Sequence, residues 1–304
     1  MKVLITGITG YVGSRLADRL QRDGHEIRGL TRRRRELPGA PELVVGDAVS
    51  GAGLEEALGD VEVAYFLIHS MEPSTDGTFN VRERRAAENF ARAAQAAGVP
   101  RVIYLGGPAP SEGRPSPHLA SRLAVEEVLH EAAPCSVAFR ASIVIGARSR
   151  SFRFMVRLIE RLPVLALPAW HVHRSSPIDE RDIVELLARA ARSDSVCNQS
   201  LDARGLEIVS YGELIEKIRD HMLVDRPTIG LRRLSVIPIA SRMASVIAEE
   251  DHELIGTLME SLGEDLLPRD NRAAELLGVR LHSLDAAIER ALREWEAVEP
   301  LAAR

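Results

Sequence analysis

Three glycines in the stretch Thr6-Gly7-Ile8-Thr9-Gly10-Tyr11-Val12-Gly13 are spaced so that a backbone turn could approach a diphosphate. Glycine lacks the Cβ that would hold a ligand away, and the amide hydrogens at a helix N-terminus attract the ligand's negative charge. An ordinary tight turn would use the same residues, so the setting decides. Val3-Leu4-Ile5 before the glycines has the aliphatic character of a strand buried on both faces, and Val12, Leu16 and Leu20 after them recur at helical spacing. Strand, glycine turn and helix in that order predict a dinucleotide-binding site.

Arg32 to Arg35 are a second chemical signal, because they follow the apolar run 26–31. In a dinucleotide-binding fold this is where the adenosine ribose lies. A carboxylate there would bind the two ribose hydroxyls of NAD, whereas arginine pairs with the 2′-phosphate of NADP. Ile27 to Arg35 contain no Asp or Glu, so NADP is expected over NAD. His69 and Ser70 end the apolar run 61–68, at the strand edge where ligands bind in open α/β sheets. His171 and His173 would project to one side of a strand, as metal ligands can, but no cysteine or third histidine stands near them and no metal is expected. Cys135 and Cys197 are far apart without metal-binding spacing and read as small core hydrophobes, so no disulfide is expected.

Elements that could position these residues alternate along the first half. Strands are predicted at 43–47, 61–68, 101–105 and 136–139, and helices at 54–58, 79–97 and 119–131. Such alternation means parallel strands joined by right-handed crossovers, a doubly wound α/β sheet of Rossmann type. Beyond Gly146 the rhythm changes. Helices are predicted at 152–162, 180–191, 211–222, 239–262 and 284–295, with extended stretches at 196–201 and 228–237. Residues 1–150 therefore read as the dinucleotide-binding core, and 151–304 as the end of the sheet plus a smaller α+β lobe covering a substrate. The apolar stripe of 239–262 suggests a lid, or failing that a homodimer face; its acidic Glu249-Glu250-Asp251 disfavours a lipid surface.

The 304-residue chain has 45% hydrophobic and 27% charged residues, a globular composition, and its net charge of −5 argues against general nucleic-acid affinity. No apolar run reaches the roughly 20 residues of a membrane span, and Lys2 directly precedes the first strand, so a cytoplasmic protein is expected.

The opening TGITGYVG, Gly46-Asp47, the segments YFLIHSM (65–71) and AAGVPRVIYLGG (96–107), and FRASIVIG (139–146) together resemble an atypical short-chain dehydrogenase/reductase. The likeness is to the NmrA-like, NAD(P)H-binding and epimerase-like branch, and it spans the chain. It implies that Thr6, Gly7, Thr9, Gly10, Tyr11, Val12 and Gly13 line the diphosphate, Arg32 the ribose phosphate, and Asp47 with Ala48 the adenine. Leu67, Ile68 and His69 would border the nicotinamide ribose.

The sequence departs from that family at its chemistry. Active members use Tyr-x-x-x-Lys on the helix after the fifth strand, where the lysine lowers the tyrosine pKa. Here the lysines are Lys2 and Lys217, neither with a tyrosine four residues before it, and Gly106-Gly107 replaces the usual serine. The corresponding helix offers His118 and Arg122, four apart and so on one face. His118 could serve as an acid, with Arg122 tuning it. Glu83, six residues before Asn89 at the position of an asparagine that is catalytic in extended relatives, is the second candidate. Two function classes follow: an NADP-dependent oxidoreductase or epimerase on a small, partly apolar substrate, or a non-catalytic NADP(H) sensor that biases a regulatory protein partner.

Overall fold

The chain starts with regular alternation: β1 (Lys2–Thr6), α1 (Tyr11–Arg22), β2 (Glu26–Thr31), β3 (Glu42–Val45), α2 (Leu54–Leu58), β4 (Val63–Phe66), α3 (Phe79–Ala96), β5 (Arg101–Gly106), α4 (Pro117–His130) and β6 (Cys135–Ala141). It continues with β7 (Val144–Ile145), α5 (Arg150–Arg161), β8 (Leu165–Pro168), a 3-10 turn at Ala169–Val172, β9 (Arg174–Ser175), β10 (Ile178–Asp179) and α6 (Glu180–Ala190). The described residues close with β11 (Gln199–Ala203), β12 (Val209–Ser210), α7 (Tyr211–His221), β13 (Thr228–Leu231), α8 (Arg272–Leu277) and α9 (Leu284–Glu296). This computed structural model describes residues 1–34, 36–68, 79–109, 115–231 and 263–301. His69, Ser70, Arg35 and the stretch 239–262 lie outside them.

Seven strands form one sheet in the order β3-β2-β1-β4-β5-β6-β11, and every pairing in it is parallel. The order reverses between β1 and β4, which opens a crevice at the carboxyl ends of those strands. Side chains alternate across the sheet as strand geometry requires. Val3 and Ile5 of β1 join the core shared with α1 and α6, while Leu4 between them joins the opposite core of Ala57, Phe90 and Val125. Both faces of β1 are thus dry, which accounts for the unbroken apolar run in its sequence.

A third core fills the lobe outside the sheet, with Phe152, Val156 and Ile159 of α5 packed with Leu214 and Ile218 of α7 and Ile288 and Trp295 of α9. Two-stranded parallel pairs β7–β10 and β8–β13 and the antiparallel pair β9–β12 brace it. Among the described residues no helix is long and apolar enough to cross a membrane.

The structure corrects one expectation outright: Cys135 and Cys197 are joined in a disulfide. Their 62-residue separation is bridged by topology, because β11 lies parallel beside β6 with Gln199 opposite Val137, and two residues back along that register Cys197 faces Cys135. Linear spacing carried no trace of that neighbourhood. A smaller correction concerns α4, which begins at Pro117 rather than 119 because Ser116 caps it, its side chain accepting from the Leu119 amide at 3.4 Å.

Candidate functional site

A cleft of about 730 Å³ runs along the carboxyl edge of the sheet and on into the lobe. One end is the glycine turn between β1 and α1. The Gly10 amide donates to the Gly7 carbonyl at 2.8 Å, and α1 begins at Tyr11, directly after Gly10, with no side-chain cap and no acidic residue in its first turn. Gly7 has φ +73°, and a Cβ on it would sit 2.7 Å from the Leu67 carbonyl oxygen; one on Gly13 would sit 2.3 Å from the Gly7 carbonyl oxygen. Neither position admits another residue without moving backbone, so the turn is drawn tight between β1, β4 and α1. The result is an uncapped helix N-terminus open to the cleft, an arrangement that fits a dinucleotide diphosphate.

Gly7, Thr9, Gly10, Tyr11, Val12 and Gly13 all line this end, joined by Arg32, Asp47, Ala48, Leu67 and Ile68. Thr6 does not. It is fully buried, its hydroxyl donating to the Tyr65 carbonyl at 2.9 Å and accepting from the Leu67 amide at 3.2 Å. That side chain braces β1 against β4 and is unavailable to a ligand. Asp47 accepts from the Val49 amide at 2.8 Å, and Asn89 of α3 donates to the carbonyls of Ala48 (3.1 Å) and Val49 (2.9 Å). Asn89 thus fixes the loop that follows β3.

Tyr11 looks two ways. Its residue lines the cleft, and its hydroxyl donates to Glu180, a buried carboxylate that also pairs with Arg15 at 3.1 Å and Arg290 at 3.3 Å. Burial first, then the Glu180 charge, push the Tyr11 phenol far above its usual range, so it stays a hydrogen-bond donor. The cluster ties the glycine turn to α6 and α9.

In the middle of the cleft Gly106 and Gly107 face α4. A Cβ on Gly106 would lie 2.6 Å from the Tyr104 ring, and one on Gly107 would lie 3.3 Å from the Leu119 side chain and 3.5 Å from Arg122 Cγ. His118 and Arg122 both line this stretch. Burial, reinforced by the Arg122 charge, holds the His118 imidazole down to about 4, so at neutral pH it is uncharged. A neutral imidazole can donate a hydrogen bond from one ring nitrogen and accept one at the other.

Glu83 stands back from the cleft. It is 3% exposed, does not line the cleft, and faces Arg122 at 3.0 Å while the Ser121 hydroxyl donates to it at 2.8 Å. The carboxylate joins α3 to α4. A charge buried at a helix–helix seam needs a partner there, and once paired it is a poor proton carrier.

Sequence reasoning missed the far end, where Phe154 and Met155 of α5, Trp170 of the 3-10 turn and Tyr211 and Ile215 of α7 form an apolar wall, with Arg148 and Arg150 beside it. The sequence predicted a helix at 152–162 but not what it faces. His171 and His173 lie on and just after a 3-10 turn rather than a strand, held to the Pro168 carbonyl (2.8 Å) and the Asp265 carboxylate (3.7 Å) respectively. No cluster that could hold a metal occurs among the described residues.

Comparison with known proteins agrees with this geometry. Residues 7–135 match the NAD(P)H-binding family. A ceramide reductase of Caulobacter vibrioides is 31% identical over 169 residues, 54% of this chain and 52% of that protein. A 3-beta-hydroxysteroid dehydrogenase of Mycolicibacterium neoaurum is 30% identical over 113 residues, 34% of this chain and 31% of that one. The chain thus spans about half or less of the length of these two relatives. The solved UDP-glucuronic acid 4-epimerase of Bacillus cereus, in complex with UDP-glucuronic acid and NAD, superposes with TM-score 0.74 at 15% identity, covering 98% of this chain and 100% of that one.

Proposed function

We propose that this chain, whose residues 7–135 match the NAD(P)H-binding family, is an NADP-dependent oxidoreductase of the atypical short-chain dehydrogenase/reductase type acting on a small, partly apolar substrate. The observation that carries this reading is the continuity of the cleft. It passes from the glycine turn, by Gly106-Gly107 and His118, to the apolar wall of Phe154, Met155, Trp170 and Tyr211. A protein that only held a nucleotide would have no use for that second chamber. The names of two relatives, a reductase and a dehydrogenase, point the same way.

In this reading Gly7, Thr9, Gly10, Tyr11, Val12 and Gly13 hold the diphosphate, mainly through backbone amides. Arg32 takes the 2′-phosphate, Asp47 and Ala48 border the adenine, and Leu67 and Ile68 border the nicotinamide ribose. The bound cofactor supplies a hydride. Neutral His118 then orients a substrate oxygen by a hydrogen bond, Arg122 and Glu83 keep α4 in place, and the proton comes from water.

One observation favours a second reading. With Glu83 buried against Arg122 and His118 held neutral, the described residues of the site offer no strong proton donor, as in a redox sensor that biases a protein partner. The two readings separate in one experiment. The protein is mixed with NADPH and a panel of ketones, enals and quinones while the absorbance of the reduced nicotinamide is followed, and NADPH affinity is measured by calorimetry. Oxidation of NADPH with any panel member supports the enzyme; tight NADPH binding with no turnover across the panel selects the sensor.

A further inference from the structure

The far chamber has a chemistry of its own. Phe154, Met155, Trp170, Tyr211, Ile215 and Leu266 line it, each at least nine-tenths buried. Trp170 and Tyr211 meet edge to face at 6.2 Å between ring centroids. The Trp170 indole Nε1 is buried with no hydrogen-bond partner, a donor that lacks an acceptor in a wall otherwise apolar.

Arg148 and Arg150, which precede and open the helix that carries Phe154 and Met155, are exposed, line the same cleft, and are not paired with a carboxylate among the described residues. They differ from Arg140, Arg157, Arg174 and Arg181 on neighbouring elements, which are each matched to an acid. Helical geometry fixes their relation to the apolar wall. Arg150 and Phe154 are four residues apart on α5, as are Ser151 and Met155, so polar head and apolar body lie in line along one face of that helix.

We propose that this chamber binds an amphipathic anion: a hydrocarbon body lies against Phe154, Met155, Trp170 and Tyr211, and a carboxylate or phosphate at its end meets Arg148 and Arg150. The inference rests on the oxidoreductase reading above and names its substrate class. An oxygen on the ligand's body, other than the one that reacts beside His118, is the acceptor suited to Trp170 Nε1. A nucleoside diphosphate sugar is a worse match, because a pyranose ring offers hydroxyls to a wall that holds few groups to meet them.

The test uses the full chain saturated with NADPH and the probes decanoate, decyl phosphate, decanol, decyltrimethylammonium and UDP-glucose, titrated by calorimetry at one ionic strength. Decanoate and decyl phosphate should bind at least about tenfold more tightly than decanol, the scale of a charge-assisted contact, and the cation and UDP-glucose more weakly still. Of the two anions, the tighter one identifies the headgroup as carboxylate or phosphate. In Arg148→Gln/Arg150→Gln the preference over decanol should shrink to about twofold. These side chains are exposed, so the variant should fold, which circular dichroism checks. Decanoate should also change the intrinsic fluorescence, and Trp170→Phe should remove that change, since the other tryptophan, Trp295, is buried under Arg153 and Arg157. The proposal is overturned if decanol matches the anions, if the double variant keeps the preference, or if UDP-glucose binds more tightly than either anion. NADPH titration of the same samples keeps the two readings apart: anion selectivity without cofactor binding sinks the oxidoreductase and leaves this site, whereas cofactor binding without anion selectivity sinks the site alone.

Discussion

At the glycine turn the wall of the cleft is main chain: Gly7 and Gly13 leave no room for a Cβ, and the α1 N-terminus is left without a cap. One crossover away, where α3 and α4 meet, the groups that could do chemistry are side chains, and most are already engaged. Glu83 is closed off by Arg122 and Ser121, and Asn89 holds the Ala48 and Val49 carbonyls. Burial accounts for the contrast. A backbone amide at a helix N-terminus stays a donor however tightly it is packed, whereas a buried carboxylate must find a counter-charge and so ceases to be a reagent. Charged residues beside a cleft are therefore better judged by what they touch than by what they are.

The hardest blow to that comparison would come from Glu83→Gln. If the pair is structural, the variant leaves Arg122 buried without its counter-charge, and urea denaturation should show a loss of roughly 3–5 kcal/mol. NADPH affinity should change far less. A variant of unchanged stability that fails to turn over substrate would return Glu83 to the reaction. Gly10→Val tests the other end. A branched side chain at the α1 N-terminus would stand where the diphosphate approaches, and a Cβ there lies 3.0 Å from the Gly7 carbonyl, close but tolerable. Dinucleotide affinity should fall about a hundredfold, roughly 2.7 kcal/mol, with circular dichroism unaltered. Unchanged affinity would place the cofactor elsewhere.

Arg32→Ala asks for less. If its guanidinium meets the 2′-phosphate, the variant should lose about ten- to a hundredfold in affinity for NADPH, roughly 1.5–3 kcal/mol, and almost nothing for NADH. A preference for NADPH that survives the substitution, or wild-type affinities that are equal, would remove the NADP assignment.

Much of this architecture was legible before any coordinates. The Val3-Leu4-Ile5 run, the glycine spacing and the helical recurrence of Leu16 and Leu20 are local signals, and local signals survive in a linear text. Parallel alternation followed from them, and so did the binding edge at the carboxyl ends of the strands; Leu67 and Ile68 came from the family resemblance. Long-range pairings were not legible. Cys135 meets Cys197 only because β11 settles beside β6, and Glu83 meets Arg122 only because α3 and α4 lie side by side. The helix predicted from Tyr211 said nothing of the open space that Tyr211 and Trp170 border. Thr6 shows the same limit from inside a motif: its place in the glycine stretch is recognisable, but its hydroxyl turns inward to the β4 backbone.

His118 gives the smallest and sharpest comparison, because it lies between the two regions and its charge state depends on burial. An imidazole with the ordinary pKa of about 6.5 would put an inflection in the turnover profile near neutrality. Held down to about 4 by burial and by Arg122, His118 stays neutral across that range. Turnover of a substrate found in the panel should therefore be level through neutral pH and fall only as pH drops toward 4. Stability carries the same signature with a definite sign. The folded value lies below the unfolded one, so the unfolded chain takes up the proton first; the group's contribution is intact above about 6.5 and is lost as pH falls from there to about 4. His118→Gln keeps an amide able to donate a hydrogen bond to a substrate oxygen. It should cost only about tenfold in turnover, roughly 1.4 kcal/mol, and should remove the acid-side inflection. An inflection near 6.5 in the unmodified protein, lost in His118→Gln, would show that the imidazole titrates as an ordinary histidine and would restore its role as an acid.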